Sequence, residues 1–290
     1  MNWFIEDLFN VIISFATDTY SMMMAAVYSF GQIQAGSHPD VTVVEAVMTA
    51  LMPFAIALVL CYGAIEIITG IIDSNQGLSS DPMALIIRVL LRLFFSYVLI
   101  GQSYNIANGV FYMWNSFGKL IHDTATVATQ TATASPTMIV VGIIEKMFTM
   151  GTTALVLLIT QLVAIGIMAV NILMARVELE ARMALLPVGI ANVITSGGIN
   201  NSGFKYIKRI MGCALYWGGC MLIISIVSGA TQTDIVGAVM NEVQTGNLSN
   251  IGTSIIQTVV NILIHSIVGP FAAVSACSTM KSILNEALGG

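Results

Sequence analysis

The chain has 290 residues, of which 57% are hydrophobic and only 9% are charged, and its mean hydropathy is +0.88. A soluble domain carries about 25% charged residues, so this chain cannot cover a water-facing surface, and membrane lipid must solvate much of it. The net charge is −5, and the ten basic residues are too few and too scattered for a nucleic-acid footprint.

The first 35 residues predict an amphipathic helix. Polar residues recur every three or four positions from Asn2 to Ser21, and apolar residues fill the other positions. The segment contains no Lys or Arg, so we expect the helix to lie in the membrane interface or against the other helices without help from anionic lipid. Its acidic start, with Glu6 and Asp7, is unlike a signal peptide, so we expect the first membrane span to target the chain.

Five apolar stretches are long enough to cross a bilayer core of about 30 Å. They predict spans at 46–65, 93–113, 147–175, 210–230 and 251–277. The third is longer than a bilayer requires, so it must tilt or protrude.

Two connecting segments are distinctive. The Thr/Ala-rich stretch 115–137 predicts a small polar loop. The stretch 183–195 is apolar but too short to cross the membrane, and it contains Pro187, which predicts a re-entrant or interfacial segment. The predicted fold class is therefore all-α, with a polytopic integral membrane helical bundle at 42–290 preceded by the N-terminal amphipathic helix at 1–35.

Basic residues are distributed unequally between the two sides of these five spans. One side carries two, Lys119 and Lys146. The other side carries eight: Arg88, Arg92, Arg176, Arg182, Lys205, Lys208, Arg209 and Lys281. The positive-inside rule therefore predicts an extracytoplasmic N-terminus and a cytoplasmic C-terminus.

Polar groups inside the predicted spans are candidates for function. Glu66, His265 and the pair Asn105/Asn108 could mark a proton or ion path. The simpler interpretations are that Glu66 ends the first span close to Arg88 or Arg92, and that His265 is a hydrogen-bonded packing residue.

Two sets of residues predict either self-association or the lining of a lumen. Three amides in and near the second span are costly against lipid, and four small residues of the fourth span permit close helix contact. The amide face consists of Gln102, Asn105 and Asn108, and the small residues are Ala214, Gly218, Ser225 and Gly229. The alternative is that the helices of a single chain satisfy these groups.

Charged residues cluster after the third span. Two acid–base pairs with a spacing of four residues predict a stabilised, solvated helix end, and a basic run precedes the fourth span. We call these the charged helix end, Arg176, Glu178, Glu180 and Arg182, and the basic run, Lys205, Lys208 and Arg209. Both predict a cytoplasmic docking surface for partner proteins, with simple anchoring at the interface as the alternative.

Nothing in the sequence supports an enzyme or a cofactor. No acid/base dyad, nucleophile motif or metal-ligand set is present. The glycines at 197–203 resemble a phosphate loop, but Phe204 stands where that motif needs Lys. The four cysteines, Cys61, Cys213, Cys220 and Cys277, lie in apolar segments without zinc-site spacing, which predicts buried thiols.

The layout resembles the TrbL family, the polytopic inner-membrane subunits of type IV secretion and conjugation systems equivalent to the sixth VirB component. The stretch 176–189 (RVELEARMALLPVG), at the end of the long third helix, carries most of the likeness. The compact size is most similar to versions from Gram-positive conjugative elements. The resemblance implies a channel or scaffold subunit in the bacterial cell membrane, a homo-oligomeric ring, partner secretion subunits including ATPases, and a transient DNA–protein substrate.

Two other classes remain open. A small-solute transporter or ion channel predicts an inverted repeat and helices broken at the midplane, with Pro53 and Pro270 as the residues to inspect. A membrane accessory or immunity protein is the third possibility.

Overall fold

The computed structural model describes residues 19–33, 39–75, 82–129, 136–194, 201–245 and 251–288. Every regular element in these ranges is helical. The helices are α1 (19–31), α2 (Pro39–Asn75), α3 (Pro82–Gly101), α4 (Ser103–Thr129), α5 (Pro136–Ala184), α6 (Leu186–Ala191), a 3₁₀ turn (Asn192–Ile194), α7 (Ser202–Thr245) and α8 (Ile251–Ala287). This confirms the predicted all-α class.

Five helical segments among the described residues are long and apolar enough to cross a membrane. They are Thr42–Asp73, Met83–Gly101, Ile159–Ala184, Ser202–Ala230 and Ile267–Leu284. The chain is therefore a polytopic membrane protein, and it exposes many large apolar side chains on α2 and α3 that water would not solvate well.

The predicted second span at 93–113 crosses a helix boundary. α3 ends at Gly101 and α4 begins at Ser103, with a one-residue interruption at Gln102. The backbone ladder continues through this residue, because the Gln102 N–H donates to the carbonyls of Val98 and Leu99 and its own carbonyl accepts from Ile106. Gly101 and Ser103 flank this interruption.

The predicted polar loop at 115–137 is wrong for 115–129, which belongs to α4. The helix forms because one face is apolar and buried, with Trp114, Gly118 and Ala125 at helical spacing. The polar Thr residues that suggested a loop are compatible with a helix, since the Thr124 hydroxyl donates to the carbonyl of Leu120 within the same helix.

A very long helix, α5, is followed by two very short helical elements. α5 has 49 residues and extends beyond the predicted third span at both ends. At 1.5 Å per residue it is about 73 Å long, so much of it lies outside a bilayer core. The apolar stretch after it forms the six-residue α6, with Pro187 in its first turn, and the 3₁₀ turn. Both are too short to span, as predicted, and both pack on α2 and α3.

The chain divides into two compact units. The first, here unit A, comprises 1–32, 116–174 and 216–281, and the second, unit B, comprises 33–115, 175–215 and 282–290. In unit B the α2–α3 hairpin packs against α6 and the 3₁₀ turn. In unit A the indole of Trp217 is buried among residues of α1 and α4.

Candidate functional site

The α2–α3 hairpin of unit B has a definite antiparallel register. Gly70 lies against Leu85, and Gly63 lies against Leu93, where an added Cβ would approach the Leu93 Cδ2 atom to 2.8 Å. Small residues on one helix thus receive large ones from the other, which lets the two backbones approach closely. Further along the same pair is an apolar groove of about 210 Å³, lined by Ile56, Val59, Leu60, Leu93, Phe94, Tyr97 and Ile100.

An ion pair joins the two helices between these glycine contacts. Arg92 Nη1 lies 2.6 Å from Glu66 Oε1, and the two side chains are 32% and 27% exposed. The partner predicted for Glu66 in the simpler interpretation is therefore present, while Arg88 is exposed one turn earlier. The hydrogen bond between the two side chains joins α2 to α3, which is the structural role of the simpler interpretation.

The amide face lies on the surface of unit B, at and just after the interruption at Gln102. Gln102, Asn105 and Asn108 are all exposed, and the Asn105 amide donates to the Gln102 Oε1 atom at 2.5 Å. The opposite face of the same helix is buried through Ser103, Ala107 and other residues. The described helices therefore leave the amide face exposed, apart from the hydrogen bond between Asn105 and Gln102.

The charged helix end of α5 is paired as predicted. Arg176 Nε lies 2.9 Å from Glu180 Oε1, and Arg182 Nη2 lies 2.7 Å from Glu178 Oε1. However, the Arg176 and Glu180 side chains are only 11% and 12% exposed, so the expectation of a fully solvated charged surface is wrong for this pair. Neighbouring side chains cover it, whereas the Arg182 and Glu178 side chains are 27% and 31% exposed.

The corner between α6 and α7 is held by specific contacts within unit B. The Asn201 side chain donates to the carbonyl of Val193 at 2.7 Å and accepts from the Gly203 N–H at 2.7 Å, which caps the start of α7. The Tyr206 ring lies against Gly189, and its hydroxyl donates to the carbonyl of Arg182 at 2.7 Å. The basic run therefore projects from a helix turn whose backbone is fixed.

The small residues of α7 are mostly not available for self-association. Ala214 is fully buried in unit B, and Gly218 is buried in unit A against the ring of Phe117. These two residues serve close packing within the chain, so their assignment to an oligomer face is wrong. Ser225 is half-buried and Gly229 is exposed.

Unit A contains a buried aromatic cluster that the sequence did not reveal. The Trp217 Nε1–H donates to the carbonyl of Val27 at 2.8 Å, and the His122 ring stacks on Tyr28 with 3.9 Å between ring centroids. His122 was missed because its segment reads as a polar loop. Gln161 of α5 was also missed: it is buried, and its Nε2 atom has no hydrogen-bond partner among the described residues. The sequence feature that could have identified Gln161 is an amide inside a long stretch without charged residues.

The remaining candidate residues are the possible metal ligands, the four cysteines and His265. No group of three metal-ligating side chains occurs in the described part of the chain. Three of the four cysteines are buried thiols as predicted, whereas Cys61 is exposed. His265 lies on α8, but its side chain is outside the described residues, as is that of Lys146. No family model, curated protein or solved structure matches this chain.

Proposed function

We propose that this chain is a channel or scaffold subunit of a type IV secretion apparatus that transfers DNA–protein substrates, the role implied by its resemblance to the TrbL family. It works as a homo-oligomer in the bacterial cell membrane, with the N-terminus outside and the C-terminus in the cytoplasm. Separate ATPase subunits supply the energy. The five apolar helices and the unequal distribution of basic residues support this proposal.

The observation that carries the proposal is the depth of the exposed amide face. α2 has no charge between Glu45 and Glu66, and these twenty residues have the length of a bilayer core. In the antiparallel register set by Gly63 against Leu93, they lie level with α3–α4 residues from about 91 to about 110. The amide face falls inside this interval.

Amides at that depth are not stable against lipid. A polar group that loses its hydrogen bonds in an apolar medium costs about 2–7 kcal/mol, and only the Asn105–Gln102 bond offsets this within the face. Water in a lumen or the same face of another copy would satisfy the amides. A cyclic homo-oligomer provides either solution repeatedly around its axis. Interhelical hydrogen bonds in membranes average about 0.6 kcal/mol, so several must act together.

The charged helix end provides the docking surface in this proposal, with its role divided between the two pairs. The Glu178–Arg182 pair is the more exposed of the two and is available to a partner such as an ATPase subunit. The covered Arg176–Glu180 pair is less than one-eighth exposed and stabilises the helix instead.

Mass measurement of the full chain in lipid nanodiscs tests the oligomer. We expect a multimer for the native chain and a shift towards monomer for the double variant Asn105→Ala/Asn108→Ala. Thr49→Val is the matched control, because Thr49 is exposed on α2 at a similar depth but its hydroxyl donates to the carbonyl of Glu45 in its own helix. A strictly monomeric native chain at every concentration would refute the ring and the conduit.

A charge swap tests docking. Glu178→Arg/Arg182→Glu keeps an ion pair at the same spacing but reverses the charges that a partner would meet, so we expect substrate transfer to be lost at normal protein levels. The control swap, Arg176→Glu/Glu180→Arg, changes the covered pair and should leave transfer intact at normal protein levels. Normal transfer by both swaps would favour simple anchoring. Solute uptake into liposomes by the purified chain, without a transfer defect on deletion, would favour the transporter alternative.

A further inference from the structure

The basic run at the start of α7 is a group of cations in unit B that has no acidic residues close to it in sequence. Lys205, Lys208 and Arg209 have the spacing of one helix face, and Lys205 and Arg209 are exposed. No acidic residue occurs in the sequence between Glu180 and Asp234. The run is therefore a local concentration of positive charge without acidic residues close to it in sequence.

Three other arginines of this unit are neutralised within the chain, whereas Arg88 is exposed. Arg92, Arg176 and Arg182 each form an ion pair with a glutamate. In contrast, the side chains of Lys205 and Arg209 have no hydrogen-bond or ion-pair partner among the residues that the structure describes. The chain thus leaves these two cations available to a ligand of opposite charge.

The run also has a fixed position relative to the fourth membrane span. The basic run lies in the first turns of α7, at the N-terminal end of the membrane-crossing segment Ser202–Ala230, and Ile210, directly after Arg209, is almost fully buried. Asn201 and Tyr206 hold the first turns of the helix through their bonds to Val193 and Arg182. Cations at the end of a membrane-crossing helix lie at the level where phospholipid headgroups present their phosphates.

We infer that the basic run binds the headgroup phosphates of anionic phospholipid. Lipid is favoured over a nucleic acid because three cations are few for a DNA footprint, and over a protein because the run directly adjoins a lipid-embedded span. The inference does not depend on the proposed secretion role, since it uses only the charge, exposure and position of the run. If the basic run binds lipid, the charged helix end alone remains as the docking surface for partner proteins.

Native mass spectrometry of the full chain, titrated with phosphatidylglycerol or with phosphatidylcholine, tests the inference. We expect the native chain to prefer phosphatidylglycerol, and Lys205→Gln/Lys208→Gln/Arg209→Gln to lose that preference, with affinity falling up to about fivefold for each cation removed. Lys119→Gln, which removes an exposed cation from α4, should keep the native preference.

Two further measurements keep the result interpretable. The charge-conserving variant Lys205→Arg/Lys208→Arg/Arg209→Lys should bind phosphatidylglycerol like the native chain, and Lys205→Gln alone provides a reading if the triple variant does not fold. An unchanged preference in the glutamine variants would overturn the inference. The inference would also be overturned if the glutamine variants lost binding to a DNA duplex, measured in nanodiscs of phosphatidylcholine, but kept the preference for phosphatidylglycerol.

Discussion

Replacing Glu66 with Gln removes the negative charge that Arg92 meets at 2.6 Å between α2 and α3. The arginine remains charged, and about two-thirds of its side chain stays covered. A hydrogen bond to a charged group contributes about 1.5–3 kcal/mol, and partial exposure places this pair at the lower end, so we expect a loss of about 2 kcal/mol in the free energy of unfolding. Arg92→Gln should cost a similar amount.

The double variant separates this bond from general effects of the two substitutions. If the pair acts as a unit, Glu66→Gln/Arg92→Gln should cost little more than either single variant, which gives a coupling energy of about 1–2 kcal/mol. Reversible unfolding in mixed micelles provides the free energies. Arg88→Gln, on the same helix and exposed, should cost less than about 0.5 kcal/mol. Additive effects of the two single variants, or an equal loss for Arg88→Gln, would refute the reasoning.

Three further predictions concern packing, capping and topology. Gly118→Ala should lower the free energy of unfolding by about 1–3 kcal/mol, because the added Cβ would overlap the Trp217 ring. Gly109→Ala is the control and should not lower it, because an added Cβ there meets open space. Thermal unfolding of the two variants measures the difference. Asn201→Ala should cost about 1 kcal/mol and speed amide exchange at the start of α7, with Ser202→Ala as the exposed control. Cysteines placed at Thr129 and Ser202, in a chain without Cys61, should react with impermeant reagent from opposite sides, Thr129 from outside; reaction from one side only would contradict the topology.

The sequence was sufficient for the fold class and for the presence of five helical segments, among the described residues, that are long and apolar enough to cross a membrane. Both follow from the length of apolar stretches, which is a local property of the chain. The ion pairs of the charged helix end were also predictable, because residues four apart on a helix meet whatever surrounds the helix. The pairing of Glu66 with Arg88 or Arg92 was predictable for a different reason, because two consecutive helices joined by a short loop are neighbours.

Contacts between distant segments could not be predicted in this way. The helical state of 115–129 depends on the burial of Trp114, Gly118 and Ala125, and no periodic apolar stripe was evident among the Thr and Ala residues. The burial of Ala214 and Gly218 was missed because a small residue at helical spacing suits contact within a chain as well as contact between chains. The cover over Arg176 and Glu180 was missed because a sequence pattern does not show which side chains will pack over a charged pair.

Unit B treats polar groups at membrane depth in two different ways. It neutralises Arg92 with Glu66 on the neighbouring helix, so that pair is complete within one chain. It leaves Asn105 and Asn108 of α4 exposed, although Ser103 and Ala107 on the other face of the same helix are buried. A chain that can pair charges internally has no structural need to expose amides to lipid. In the proposed assembly a second copy or an aqueous lumen completes the exposed amide face, so removing the amides should weaken assembly while the folded chain itself persists.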